Sequence, residues 1–122
     1  ALILNPTREL ALQTAAAIEE LAKQRQNQGP KIRVALATGG APVGQQRSQI
    51  QKPHDILVAT PGRLLQFLDD RSLSLRDVQD VVCDESDRMV DLGFEPQLRR
   101  IAKALGRNQE KQTLLCSATF PP

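Results

Sequence analysis

Two adjacent carboxylates, Asp84 and Glu85, directly follow the apolar run Val81-Val82-Cys83. An Asp at the end of a strand can hold the Mg²⁺ ion that bridges nucleotide phosphates, and a neighbouring Glu can orient or activate the attacking water. The same pair could instead cap the following helix, where the helix dipole favours acidic side chains. Taken alone, the pair leaves a helix cap and a nucleotide-hydrolysing site equally open.

The phosphate loop that usually accompanies such an acidic site is missing from the chain. That loop is rich in glycine and ends in Gly-Lys-Ser or Gly-Lys-Thr, and its backbone amides cradle the phosphates. None of the seven glycines precedes a lysine. The chain also opens on the apolar run Ala1-Leu2-Ile3-Leu4, without a starting methionine. We therefore expect it to be cut from a longer protein on its N-terminal side.

Three predicted helix starts, at Pro6, Pro42 and Pro61, could contact the phosphates of a nucleic acid. Backbone N–H groups at a helix N-terminus bind anions, and Arg8 and Arg63 add positive charge nearby. The chain has three Phe and no Trp or Tyr, so it offers few of the aromatic platforms on which proteins stack unpaired bases. A bound nucleic acid would therefore be held through its sugar-phosphate backbone, without base specificity.

Length and composition limit the protein class. The 122 residues are 40% hydrophobic and 25% charged, with a net charge of +2, as expected of one globular domain. No apolar run approaches the roughly 20 residues of a membrane span, so no membrane partner is expected. Cys83 and Cys116 stand in apolar runs outside any zinc-binding spacing, which is typical of buried, reduced thiols in an intracellular protein. The sequence does not decide between the nucleus and the cytoplasm as the compartment of the protein.

Short apolar runs alternate with helical patterns along the chain. Strands apolar on both faces and joined by helices predict a three-layer α/β fold with a parallel sheet. Right-handed crossovers then place the carboxyl end of every strand at one edge, where ligands of such sheets bind. We predict strands at residues 1–4, 32–37, 55–59, 78–83 and 113–116, and helices at 6–25, 42–51, 61–68, from 86, and at 95–105 up to Gly106. The segments expected at the binding edge are residues 5–9, 38–41, 60–63, 84–87 and 117–119.

Two of these helices carry more detailed expectations. The helix at 61–68 should have Thr60 as its N-cap and Pro61 at its first position. The helix at 6–25 should bury a stripe formed by Leu10, Thr14, Ala17, Ile18 and Leu21.

Five motifs in order distinguish this sequence from a generic α/β domain: Pro6-Thr7-Arg8-Glu9-Leu10-Ala11, Gly39-Gly40, Thr60-Pro61-Gly62-Arg63, Asp84-Glu85-Ser86-Asp87 and Ser117-Ala118-Thr119. In order and approximate spacing they resemble the DEAD-box RNA helicases, from that family's motif Ia to its motif III. The resemblance implies that residues 1–122 form part of a RecA-like first domain of the P-loop NTPase fold. The family's Q motif and phosphate loop would precede Ala1, and its second RecA-like domain would follow Pro122.

The resemblance also implies a role for each motif. Asp84, Glu85 and Asp87 would be catalytic, with Asp84 and Glu85 serving Mg²⁺ through water. Asp87 would link to Ser117, Ala118 and Thr119 and couple the nucleotide state to domain closure. The RNA sugar-phosphate backbone would be held by Pro6, Thr7, Arg8, Gly39, Gly40, Thr60, Pro61, Gly62 and Arg63. The family usually has Ala where this chain has Ser86, and we expect the extra hydroxyl to be tolerated because the three acids are present.

The parent protein implied by the resemblance is an ATP-dependent RNA helicase. It would bind ATP with Mg²⁺ and couple ATP hydrolysis to RNA binding and local duplex unwinding. The chain alone is expected to be inactive without its phosphate loop. The alternative is a truncated, non-enzymatic module that binds RNA or a protein, and an upstream phosphate loop would separate the two. A Rossmann-type enzyme is disfavoured because no GxGxxG loop is present.

By family topology, the missing phosphate-loop strand would lie beside residues 113–116. Without it these residues form an unpaired apolar edge, so the chain alone is expected to be weakly stable or to self-associate. The RNA process served and the protein partners stay open.

Overall fold

The computed structural model describes residues 1–24, 29, 31–105 and, as backbone alone, 113–117. Strands and helices alternate along these residues, as the sequence predicts. The elements are β1 (Leu2–Leu4), α1 (Arg8–Lys23), β2 (Val34–Ala37), α2 (Val43–Gln51), β3 (Ile56–Ala59), α3 (Pro61–Asp69), β4 (Asp80–Asp84), α4 (Ser86–Asp91), α5 (Glu95–Leu105) and β5 (Thr113–Ser117). The predicted helix end at Gly106 lies outside the described residues.

The five strands form one parallel sheet in the order β2-β3-β1-β4-β5. The central strand β1 pairs with β3 on one side and with β4 on the other, so that Leu4 lies opposite both Ala59 and Cys83. Strand β5 pairs with β4 and forms an edge of the sheet within the described residues. The predicted parallel α/β architecture is confirmed.

Helices cover both faces of the sheet. On one face, α1 places the small side chains of Ala11 and Ala15 against Val58 of β3. On the other face, α2, α3, α4 and α5 contribute to a larger core that includes Phe67 and Ile101. Side chains alternate between the two faces along each strand, so Leu2 and Leu4 join the larger core while Ile3 packs against the smaller one.

The predicted apolar stripe of α1 is wrong in part. The helix buries Ala11 and Ala15, whereas Leu21 is 61% exposed and Ala17 is also exposed. Ile18 of the predicted stripe does pack, partly buried, against the cluster that Ala11 and Ala15 form with Val58, so the buried face of α1 is rotated from the predicted one rather than unrelated to it.

Several element ends also differ from the predicted ones. Helix α1 begins at Arg8 rather than Pro6, because Thr7 is extended and its hydroxyl accepts a hydrogen bond from Leu10 N at 3.2 Å. Strand β4 is shifted toward the C-terminus, because Val78 N is engaged in a turn with Leu75 O at 3.2 Å. Asp84 is therefore the last residue of the strand itself.

Candidate functional site

The carboxyl ends of the parallel strands bring the predicted segments to one edge of the sheet. Backbone hydrogen bonds join neighbouring segments there: Asn5 N donates to Ala59 O at 2.9 Å, and Thr60 N donates to Ala37 O at 3.0 Å. The residues that follow β1, β2, β3 and β4 therefore line a common edge, as the sequence predicts.

The acidic motif begins at the end of β4, where Asp84 is partly exposed and lies opposite Ser117 of β5. The next residue, Glu85, is in the left-handed region with φ 53° and ψ 50°. That conformation is uncommon for a residue with a side chain, and such strain is found preferentially at functional sites. Nothing in the sequence pattern indicated it.

The Glu85 carboxylate has one oxygen, Oε2, that is buried and has no hydrogen-bond partner. Its nearest cationic neighbour is Arg88 Nη1 at 3.6 Å, which is too long for a hydrogen bond. A buried acceptor of this kind requires a donor from water or a ligand. The Glu85 side chain therefore fits a site that holds a water molecule or a hydrated cation.

A metal ion held by Asp84 and Glu85 would need further ligands beyond the side chains that the structure describes. No cluster of three or more His, Cys, Asp or Glu side chains occurs within the part of the chain that the structure describes. Mg²⁺ is commonly held by one or two carboxylates together with water and substrate phosphates. Asp84 and Glu85 fit that type of site, in which most ligands are not protein atoms.

The remaining acidic and coupling residues are only partly described. Asp87 lies in the first turn of α4 and is exposed. Ser117 is the last residue of β5, and the predicted coupling residues Ala118 and Thr119 lie outside the described residues. A link between Asp87 and these residues stays a prediction.

The N-terminus of α1 brings Arg8 against the glycine turn after β2. Pro6 is buried before the helix, Thr7 caps it, and Arg8 is exposed. Gly40 has a φ of +84°, and a Cβ on this residue would lie 3.0 Å from Arg8 Nη1. The motif after β1 and the glycine pair after β2 are thus in direct contact, which their separation in sequence did not specify.

The N-terminus of α3 supplies the third predicted segment. Thr60 occupies the N-cap position and Pro61 begins the helix, as predicted, but the Thr60 side chain makes no capping hydrogen bond. Gly62 is exposed, with open space where a Cβ would be. Pro61 has no N–H and Leu64 N donates to Thr60 O at 3.1 Å, so the amides of Gly62 and Arg63 are the ones that this helix start can offer to a ligand.

Arg63 is held in place by Gln46, a residue that was not predicted to belong to the site. Its Nη1 donates to Ala41 O and to Gln46 Oε1, each at 3.1 Å. Gln46 is only 6% exposed, and its Oε1 also accepts from Thr38 N at 3.0 Å. The polar sequence around Gln46 gave no sign that this side chain is buried.

A groove of about 560 Å³ extends from Gly62 between α3 and α5. Arg100 Nη2 donates to both carboxylate oxygens of Asp69 across it, at 2.8 and 2.9 Å. Gln97 also lines the groove, and its buried Oε1 has no hydrogen-bond partner. The groove is continuous with the N-terminus of α3 and was not predicted.

The chain matches the sequence profile of the DEAD/DEAH box helicases over residues 1–122. It belongs to this family. DEAD-box ATP-dependent RNA helicase 52A of Oryza sativa subsp. japonica is 47% identical over 100% of this chain and 20% of the relative. DEAD-box ATP-dependent RNA helicase 14 of Arabidopsis thaliana is 45% identical over 98% of this chain and 18% of the relative. The chain thus spans about a fifth of the length of these relatives.

Two solved structures show the same fold. The yeast DEAD-box splicing factor Prp28 superimposes with a TM-score of 0.87 and 36% identity, over 99% of this chain and 28% of that protein. A hypothetical ATP-dependent RNA helicase from Sulfolobus tokodaii gives a TM-score of 0.81 and 34% identity, over 98% of this chain and 34% of that protein. The family and the RecA-like fold implied by the motifs are confirmed. No helix within the described residues is long and apolar enough to cross a membrane.

Proposed function

We propose that this DEAD/DEAH box family chain is most of the first RecA-like domain of an intracellular ATP-dependent RNA helicase, called the full-length helicase below. That protein couples ATP hydrolysis to RNA binding and local duplex unwinding. One observation carries the proposal: a single sheet edge presents both the Asp84–Glu85 pair and the segments at Thr7–Arg8, Gly39–Gly40 and Thr60–Arg63. The names of the curated relatives agree with it.

On the nucleotide side, each acidic residue has a distinct role. Asp84, at the end of β4, positions the metal through bound water, and Glu85 orients the attacking water and accepts its proton. The buried Oε2 of Glu85, which accepts no hydrogen bond among the described residues, supports this role. Bound Mg²⁺ supplies charge neutralisation for the ATP phosphates. Asp87 communicates with Ser117 and Thr119 and so couples the nucleotide to the second RecA-like domain.

On the nucleic-acid side, binding is through the backbone of RNA. The N-termini of α1 and α3 offer amides and hydroxyls to phosphates, and Arg8 adds a charged, exposed guanidinium. Gly39 has open space where a Cβ would be and allows the strand to approach the main chain, and Gly40 makes room for the Arg8 side chain beside it. Base-independent binding follows, because phosphate and sugar contacts carry no sequence information.

The 122 residues by themselves are proposed to be inactive as an ATPase. The sequence contains no Gly-Lys pair, so it offers no phosphate loop to hold ATP against Asp84 and Glu85. Activity therefore belongs to the full-length helicase, in which the phosphate loop and the second RecA-like domain complete the site.

The test is ATP hydrolysis by the full-length helicase with and without single-stranded RNA. RNA should stimulate turnover, and Glu85→Gln should lower it by roughly 10²–10⁴-fold while sparing ATP binding. Glu19→Gln, on an exposed position of α1, is the matched control and should behave as wild type. A full-length protein that has a phosphate loop but shows no RNA-stimulated turnover would refute the proposal and favour a non-enzymatic binding module.

A further inference from the structure

Gln46 is the buried polar residue that connects three parts of the proposed RNA-binding edge. It lies in α2, and its side chain is 6% exposed. Its Oε1 accepts hydrogen bonds from Thr38 N at 3.0 Å and from Arg63 Nη1 at 3.1 Å, and its Nε2 is 3.5 Å from Thr38 Oγ1. Both short bonds come from obligate donors, which fixes the orientation of the amide with its oxygen toward them.

Through Arg63, the same amide also holds the turn after β2. Arg63 Nη1 donates to Ala41 O at 3.1 Å as well as to Gln46, so one guanidinium nitrogen bridges α2 and the turn. The Arg63 guanidinium also lies 6.0 Å from the centre of the Phe67 ring, within the range of a cation–π contact. Gln46, Ala41 and Phe67 together support the Arg63 side chain in this orientation.

Two further guanidinium nitrogens of Arg63, Nε and Nη2, have no acceptor among the described residues. They are therefore available to a ligand at the edge where Gly40 and Thr60 also lie. Since Arg63 is preorganised by Gln46, little side-chain entropy is lost when a phosphate binds. Among the described residues, the hydrogen bonds of the Gln46 side chain go to Thr38 and Arg63 and none goes to Asp84 or Glu85, so the effect of this preorganisation should fall on RNA binding.

We propose that Gln46 is a positioning residue for RNA binding in the full-length helicase: it touches no substrate and holds Arg63 and the Gly39–Ala41 turn in their binding geometry. This inference rests on the proposed RNA-dependent ATPase function. It concerns a residue outside all five sequence motifs. It requires that Gln46 act by accepting two hydrogen bonds, and a carboxylate at this position can do the same.

The experiment compares Gln46→Met and Gln46→Glu in the full-length helicase. Met keeps the approximate volume but accepts neither bond, whereas Glu accepts both and pairs with Arg63. Gln49→Met, on an exposed position of the same helix, is the matched control. The measurements are the RNA concentration for half-maximal ATPase stimulation, kcat at saturating RNA, KM for ATP without RNA, and the melting temperature.

Gln46→Met should raise the half-maximal RNA concentration by roughly tenfold, as expected for losing about one net hydrogen bond to a charged group. It should leave kcat at saturating RNA and the RNA-free KM for ATP unchanged. Gln46→Glu accepts both hydrogen bonds but partly neutralises Arg63, so it should lose less RNA affinity than Gln46→Met. Gln49→Met should stay within about threefold of wild type on all measurements, a range corresponding to less than about 1 kcal/mol.

Three results would overturn the proposal. The first is wild-type RNA dependence in Gln46→Met, and the second is an equal loss in Gln46→Glu. The third is a parallel fall in kcat, ATP binding and melting temperature in Gln46→Met, which would make the residue merely structural. The wild-type helicase tests the proposed function separately. If RNA does not stimulate its ATPase activity, both the proposed function and this inference are wrong.

Discussion

Arg8 lies over Gly40 so closely that its Nη1 would be 3.0 Å from a Cβ added to that glycine, and its Cδ 3.3 Å. The contact joins the first turn of α1 to the turn after β2. It accounts for a glycine at position 40 in two ways, since the φ of +84° is strained for any other residue and the space above it is filled. These two effects have separable consequences.

Gly40→Ala should destabilise the domain and weaken RNA binding for different reasons. The left-handed backbone should cost about 1–2 kcal/mol of unfolding free energy. Displacement of the Arg8 guanidinium should weaken RNA binding by about tenfold, the effect of losing one charge-assisted hydrogen bond. Native-state hydrogen exchange of the β3 amides and RNA titration, both in the full-length helicase, measure the two effects.

A double-mutant cycle with Arg8→Gln distinguishes the two effects of Gly40→Ala. In the Arg8→Gln background the stability cost should persist, whereas the additional loss of RNA affinity should vanish. Gly44→Ala is the matched control: this glycine is in α2 with open space around it, so the substitution should stabilise by about 0.5 kcal/mol. If Gly40→Ala weakens RNA binding as much in the Arg8→Gln background as in wild type, displacement of Arg8 is not the cause of the loss.

Arg47 connects α2 to the end of α3 and should contribute to the stability of the domain. Its Nε donates to Ser72 Oγ at 2.9 Å, its Nη2 donates to Asp70 Oδ2 at 2.7 Å, and its guanidinium lies 5.7 Å from the centre of the Phe67 ring. The ion pair is about a third exposed, so solvent screening reduces its contribution.

Arg47→Met should lower the unfolding free energy by about 1 kcal/mol, mainly through the lost hydrogen bonds and ring contact. Arg47→Lys should recover only part of this, because an ammonium cannot reproduce the planar guanidinium fork. Hydrogen exchange of the α3 amides in the full-length helicase reports the change. Arg99→Met removes an exposed pair with Glu95 and should change stability by less than about 0.5 kcal/mol. If Arg47→Met and Arg99→Met lower the unfolding free energy equally, Arg47 does not make the stabilising contribution predicted here.

The topology and the binding edge could be predicted from sequence because both follow from features that are local in sequence. Runs such as Leu57–Ala59 are apolar on both faces, which specifies buried strands, and parallel pairing then fixes where the strands end. Asp84 could be placed at that edge in this way because it directly follows such a run. The positions of Thr60 and Pro61 at the start of α3 depend on equally local chemistry.

Other features depend on tertiary contacts and left no local signal. Ala15 is buried and Leu21 is exposed, the reverse of their hydrophobicity, because Ala15 lies on the face of α1 that packs against Val58 of β3. Gln46 is buried within a polar helix because its partners, Thr38 and Arg63, come from two other elements. The left-handed Glu85 reflects the turn that the chain must make between β4 and α4.

Arg33 and Asp55 form an ion pair at the start of β3 that should make stability depend on acid pH. Asp55 Oδ2 accepts from Arg33 N at 2.8 Å, and Arg33 Nη2 lies 3.3 Å from Oδ1. Hydrogen bonds from the Arg33 side chain, and then from its backbone, lower the pKa of Asp55 below its ordinary value. A carboxylate whose pKa is lowered in the folded state stabilises the folded protein at pH values above its unfolded pKa of about 3.9. This contribution to stability is lost as the pH falls through the pKa of the folded state.

Asp55→Asn should therefore lower the melting temperature of the full-length helicase at pH 7, and the difference from wild type should shrink as the pH falls below about 4. Asn keeps an acceptor for Arg33 N but cannot carry the charge, so the substitution removes the ion pair without a change of shape. Asp91→Asn, at an exposed position of α4, controls for the loss of one negative charge. A difference between Asp55→Asn and wild type that stays constant from pH 7 to pH 3 would show that the Asp55 charge contributes nothing, because at low pH the wild-type carboxyl is protonated as well.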